Sequence, residues 1–188
     1  MEEKAGLDFA GVVRMTLGLR SVLGALFLIC VLFGAPKGFS AAWAVIGPSG
    51  KPVPRYESLK YNEINGRQGP SLEHRVLWTF HRRGLPVRVV AESDVWRQVQ
   101  DPEGEMSWVQ ATGLAGQQTV YVSAVNQAAL RRAPDDQAAP IAYLSHGVVA
   151  SLEECRGGWR KLRVGEKKGW ARMSDLWGAE RCQPKDKD

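Results

Sequence analysis

Histidine and cysteine are scarce in this chain, three of each in 188 residues, and that scarcity removes whole classes of chemistry. His74, His81 and His146 have no metal-ligand spacing with one another or with a cysteine, so no metal site is read from them. A phosphate-cradling glycine loop, a dinucleotide fingerprint and a serine elbow are all missing. Cys155 stands beside Arg156, which lowers a thiol pKa, but no histidine sits in a motif that would make it a nucleophile. The expectation is a protein that is not an enzyme, with no catalytic residue, metal or cofactor. Helical periodicity is also lacking beyond the first forty-odd residues, which points away from helical architecture.

What is abundant leans the other way. Seven Trp, twenty Gly and ten Pro suit short strands joined by tight turns, because Trp favours sheet surfaces while Gly and Pro punctuate turns. With 44% hydrophobic and 24% charged residues the chain has the composition of a globular protein. A net charge of +5 and a pI near 9.3 suit anionic surfaces such as cell-wall polymers, lipid headgroups or nucleic acid, and select none of them.

The N-terminus reads as an export signal over residues 1–44. Arg14 and Arg20 precede an apolar run at 22–35, and Ala42-Trp43-Ala44 ends the segment with small residues where a signal peptidase needs them, so cleavage is expected after Ala44. The run is short for a span, which needs about 20 apolar residues. Membrane contact is therefore expected only through the uncleaved leader. Cys30 is no lipoprotein site, because Ile29 stands where a small residue is required. The acidic Glu2, Glu3 and Asp8 are unusual in a leader, and a start at Met15 would give a conventional one. The expected destination is secreted or periplasmic, which disfavours nucleic acid as a partner.

After a Pro-rich segment at 45–57 the chain aligns with itself at an offset of 62 to 64 residues. Arg67 and Pro70 match Arg131 and Pro134, Gly84 matches Gly147, Trp96 matches Trp159, Trp108 matches Trp170, and Leu114 matches Leu176. This divides the chain into a first unit at 58–116, a second at 117–178 and a polar tail at 179–188. Strands are predicted at Trp96–Gln100 and Met106–Gln110 around an Asp101-Pro102-Glu103-Gly104 turn, and at 148–153, 159–164 and 168–172 in the second copy. Alternation places Val87, Val89 and Ala91 on one face. The fold class is all-β, two small barrels in tandem preceded by a signal-peptide helix.

At these residues the chain resembles the bacterial SH3-like family. Its units run from an Asn-Val-Arg-x-Gly-Pro segment through a Gly, a Gly-Trp or Asp-x-Trp and a Gly-Trp-Val to a final Leu. Here Asn65-Gly66-Arg67-Gln68-Gly69-Pro70, Asp94-Val95-Trp96 and Ser107-Trp108-Val109 stand for the first set. Leu130-Arg131-Arg132-Ala133-Pro134, Gly157-Gly158-Trp159 and Gly169-Trp170-Ala171 stand for the second. Gly66, Ser107 and Ala133 depart from the pattern. The likeness extends over about 59–178 and is greatest to paired, exported SH3-like proteins of Gram-negative bacteria. It implies adhesion or targeting within the cell envelope, often to peptidoglycan.

The candidate ligand-binding residues are Trp96, Trp108, Trp159 and Trp170, with Arg160, Lys161, Lys168 and Arg172 from the dense basic stretch of the second copy. If Val99, Val109 and Leu162 fill the barrels, strand parity turns the tryptophans to the outer side or rim, where aromatic rings stack on sugars or extended peptides. The alternative is that they cap the core. The basic residues suit peptide-stem carboxylates or simply a solvated face. Arg67 and Arg131 are expected to tie loop carbonyls. Once Cys30 leaves with the leader, Cys155 and Cys182 form the only pair for an oxidising compartment. Their bridge would close a 28-residue loop and contribute about 2 to 4 kcal/mol. The functional expectation is a non-enzymatic envelope protein that binds peptidoglycan or its peptide stems; the alternative is a scaffold that recruits an envelope enzyme.

Overall fold

The computed structural model describes residues 45–116 and 118–180. The expected leader, its helix and Cys182 lie outside the described residues. A short hairpin, β1 (Val45–Ile46) and β2 (Pro52–Val53), opens this region. One antiparallel sheet then contains β3 (Arg55–Leu59), β4 (Ile64–Arg67), β5 (Val76–Phe80), β6 (Pro86–Ser93), β7 (Trp96–Gln100), β8 (Met106–Gln110) and β9 (Leu114–Ala115). A second contains β10 (Thr119–Val122), β11 (Gln127–Arg131), β12 (Pro140–Ser145), β13 (Val149–Arg156), β14 (Trp159–Val164), β15 (Lys167–Arg172) and β16 (Leu176–Trp177). Their orders are β5-β4-β8-β7-β6-β3-β9 and β12-β11-β15-β14-β13-β10-β16. Adding seven to each label of the first gives the second, so the duplication holds strand for strand. Gly84 and Gly147 show why it is legible: both adopt left-handed φ, 78° and 85°, a conformation that strains any residue with a Cβ.

Each sheet wraps its own apolar core, with Val87, Val89, Val99 and Val109 buried in the first and Val122, Leu130, Leu162 and Ala171 in the second. At about 1.5 to 3 kcal/mol per fully buried aliphatic side chain, these short strands are held by packing rather than by strand propensity. The alternation breaks where β6 bulges between Val89 and Ala91. Because of that extra residue Ala91 opposes Gln98 and leaves the face of Val87 and Val89, correcting the simple alternation, and Glu92 comes opposite Arg97. The second copy bulges at the same place, between Leu152 and Glu154, so Cys155 opposes Arg160.

Glu92 uses its new position to hold the opening hairpin. Its side chain is fully shielded and accepts from the Ser49 N–H at 2.9 Å and the Ser49 hydroxyl at 2.8 Å, with Arg55 at 2.7 Å and Arg97 at 3.1 Å. Burial alone raises its pKa, but the Ser49 hydrogen bonds and Arg55 outweigh burial and hold it at about 2, below the ordinary 4.5. A depressed carboxylate pKa contributes stability that is complete above the unfolded value and is lost as pH falls towards the folded one. Glu92→Gln should therefore cost about 2 to 3 kcal/mol at neutral pH, and the deficit should shrink between pH 4.5 and 2. Thermal denaturation of both proteins across that range checks it; a deficit independent of pH would refute the ionic account.

Two of the departures from the repeat pattern are one exchange of volume. In the second barrel Leu130 fills the core, and a Cβ on Gly169 would lie 2.8 Å from it and 2.7 Å from the Arg131 carbonyl oxygen. The first barrel has Gly66 at the Leu130 position and Ser107 at the Gly169 position, and a Cβ on Gly66 would meet Ser107 Oγ at 2.6 Å. Across the strand pair Gly66 faces Trp78 where Leu130 faces Ala142, so the missing bulk returns from β5 and β8.

The two barrels pack as one unit. Tyr121 of β10 belongs to the first core, and its hydroxyl donates to Glu103 at 2.7 Å. Burial, and then that hydrogen bond, push its pKa above the usual value, so it remains a donor at neutral pH. Trp177 meets Tyr56 edge-on at 5.1 Å, and the Thr119 hydroxyl donates to the Gly84 carbonyl at 2.7 Å.

Candidate functional site

Arg67 and Arg131 occupy equivalent bulges, each opposite a tryptophan of the next strand, Trp108 and Trp170. Arg67 donates to the carbonyls of Leu72 at 3.0 Å and His74 at 2.7 Å; Arg131 donates to that of Ala138 at 2.7 Å. These guanidinium bonds set the shape of the long β4–β5 and β11–β12 loops. In the first barrel the loop forms one wall of a groove.

That groove has a volume of about 260 Å³. Trp96 lines it but is buried, 7% exposed, and Tyr61 at 51% and Leu72 at 65% are its exposed apolar residues. Asn65, Gln110 and Thr112 add polar groups, and Glu63 a carboxylate. Asn65 is oriented by the Thr79 hydroxyl, which donates to its Oδ1 at 2.8 Å. Exposed apolar side chains with amide groups nearby suit an extended, partly polar chain.

The equivalent place in the second barrel is charged, and its Trp159 is half-buried, more exposed than Trp96. Arg172 replaces Gln110 opposite the tryptophan, and its guanidinium lies 5.1 Å from the centre of the Trp159 ring. Asp136, in the position of Leu72, accepts from Arg172 Nε at 2.8 Å and from a terminal nitrogen. No aromatic residue replaces Tyr61; Val125 is the nearest match and is wholly exposed. The asymmetry follows from three substitutions visible in the self-alignment.

The remaining basic residues are largely engaged. Arg160 is 5% exposed and turned inward: it donates to the carbonyls of Gly157, Trp159 and Ala179, so it holds a turn and the tail rather than offering a charge to a ligand. Burial lowers its pKa. Arg97 makes the equivalent bonds to Asp94 and Trp96 in the first barrel, a pairing the sequence reading missed although the offset aligns the two. Trp170 is buried with Arg156 and Lys161 about its ring at 5.4 and 5.9 Å, and both cations pair with Glu154. Lys168 shares Glu153 with Arg163. Trp108 is half-buried on β8. Trp96 and Trp170 are buried and Trp108 and Trp159 half-buried, all four outside the two main apolar clusters.

The bacterial SH3 domain family matches residues 60–116 and again 124–178, more than half of the sequence. The chain belongs to the bacterial SH3 domain family. Two such domains in tandem account for both sheets. No curated protein sequence matches this one. Among solved structures it is similar to NlpC2 from Trichomonas vaginalis, with 15% identity, 66% of this chain and 48% of that one covered, and a TM-score of 0.31. It is also similar to NlpC1 from Trichomonas vaginalis, with 13% identity, 73% and 47% covered, and a TM-score of 0.32. The chain spans about half the length of those proteins. The placement of the open bacterial SH3 groove rests on this chain's own residues.

Proposed function

We propose that this protein is an exported, non-enzymatic binding protein of the bacterial cell envelope, and that its first SH3 domain takes an extended segment of peptidoglycan, its peptide stems, into the Trp96 groove. One observation carries the reading: the first copy gathers the exposed Tyr61 and Leu72 with Asn65 and Gln110 in one groove, where the second copy has Val125 and the Arg172–Asp136 ion pair. An interface of that kind draws most of its affinity from a few aromatic or apolar anchors. Tyr61→Ser with Leu72→Ser changes exposed side chains only, so folding should be preserved. Binding to purified sacculi should fall about tenfold or more in co-sedimentation. Undiminished sedimentation of that variant would reject the groove, and no sedimentation of the wild type would reject the ligand.

We also propose removal of the leader after Ala44 and a Cys155–Cys182 disulfide in the exported protein. Cys155 is cross-strand from Arg160, whose Nε holds the Ala179 carbonyl at 2.7 Å, so the chain enters its tail beside that cysteine. The exported protein should begin at Val45 and weigh about two daltons less before reduction than after; quantitative alkylation without reductant would exclude the bridge.

A further inference from the structure

Two basic stretches that are far apart in the chain meet in space. Lys60 follows β3 and Arg83 lies in the loop before β6, both on the first domain; Arg163 is on β14 of the second. All three line a cleft of about 280 Å³ between the domains. The hydroxyl-bearing Ser58, Thr119 and Ser151 line it as well, and no acidic residue does among the described residues. The space is equivalent to about nine water molecules, enough for an oxyanion group and the atoms that carry it.

The cleft is held open by the interdomain packing. Thr119 Oγ1 donates to the Gly84 carbonyl in its wall, and Tyr121, Val149 and Trp177 of the second domain pack on the first core. The packing fixes the walls of the cleft, so the main ordering left to binding is that of the exposed Lys60 and Arg83 side chains. Their donors are also accessible. Arg83 forms no ion pair with a described residue, and Lys60 lies 5.4 Å from the ring centre of Tyr61. Glu153 takes Nε and one terminal nitrogen of Arg163, leaving its other terminal nitrogen. Guanidinium groups bind carboxylate and phosphate oxygens in pairs, and a narrow cleft lined by one sign of charge concentrates such anions.

We propose that this interdomain cleft is an anion site, which binds a carboxylate or phosphate group of a larger ligand through Lys60, Arg83 and Arg163. Its lining residues differ from those of the Trp96 groove, which it adjoins where Lys60 meets Tyr61, and it does not depend on the function proposed there. Titration of the ¹⁵N-labelled protein with inorganic phosphate, and in parallel with tetraglutamate, tests it. Saturable amide shifts are expected at Gly84, Ser151 and Gly165, weaker at high salt. Arg83→Gln and Lys60→Gln should each weaken binding about tenfold, while Arg132→Gln, exposed and outside the cleft, and Leu72→Ser, in the other groove, should leave it unchanged. Response to phosphate alone assigns the source as phosphate; response to tetraglutamate alone assigns carboxylate. Failure of both probes overturns the proposal. So do shifts spread equally over all basic residues, or an effect of Arg132→Gln equal to that of Arg83→Gln.

Discussion

Gly169→Ser is expected to destabilise the second SH3 domain by roughly 3 kcal/mol or more, a loss few domains of this size tolerate. The added Cβ would lie 2.7 Å from the Arg131 carbonyl oxygen and 2.8 Å from Leu130. Neither neighbour can yield cheaply: Arg131 is in the ladder opposite Trp170, and Leu130 is fully buried. Serine is nonetheless what the first domain has at this position, as Ser107, because Gly66 there makes the space. The converse change should show the same coupling. Gly66→Leu alone should cost about 1 to 3 kcal/mol by overpacking against Ser107 and Trp78. Adding Ser107→Gly and Trp78→Ala, which reproduces the set of the second domain, should recover most of it. Urea denaturation followed by circular dichroism gives both numbers. Purely additive costs would show that the three positions are independent and that the exchange of volume is coincidental.

The second large effect is a gain. Asp136→Leu with Arg172→Gln and Val125→Tyr gives the second domain the groove residues of the first, removing the ion pair beside Trp159 and supplying the missing aromatic residue. On a polymeric ligand, a second groove in the same compact unit makes the second binding event intramolecular. Retention on sacculi should then increase about tenfold or more, with little change in affinity for a single short stem peptide. The ion pair removed is exposed and contributes about 1 kcal/mol or less, so stability should hardly change. A variant that melts like the wild type but gains no retention would show that the Trp96 groove is not what binds the wall.

Much of this architecture can be read from the chain alone. Gly84 and Gly147 recur because their turns need a left-handed backbone, and Val99, Val109, Leu162 and Ala171 recur because each barrel needs the same face filled. The strands at Trp96–Gln100 and Met106–Gln110 have the predicted bounds. Local patterning carries these features, since a strand's alternation and a turn's glycine depend on near neighbours. The bulges do not show in it. One inserted residue transfers Glu92 to the face of Arg97, and only the partner strand reveals that it is unpaired.

The candidate residues divide in the same way. Composition marks Arg160, Lys161, Lys168 and Arg172 as a basic patch, yet Arg160 is buried on backbone carbonyls and Arg172 is engaged by Asp136 across 36 residues of sequence. By itself the sequence determined a duplicated all-β chain with a recurrent tryptophan on each β7-type strand and a recurrent arginine in each loop. Only the tertiary structure decided that Tyr61 and Leu72 share a groove, and that Lys60, Arg83 and Arg163 share a cleft. Exposure and charge pairing are set by residues distant in the chain, whereas a periodic pattern records only what each strand requires of itself.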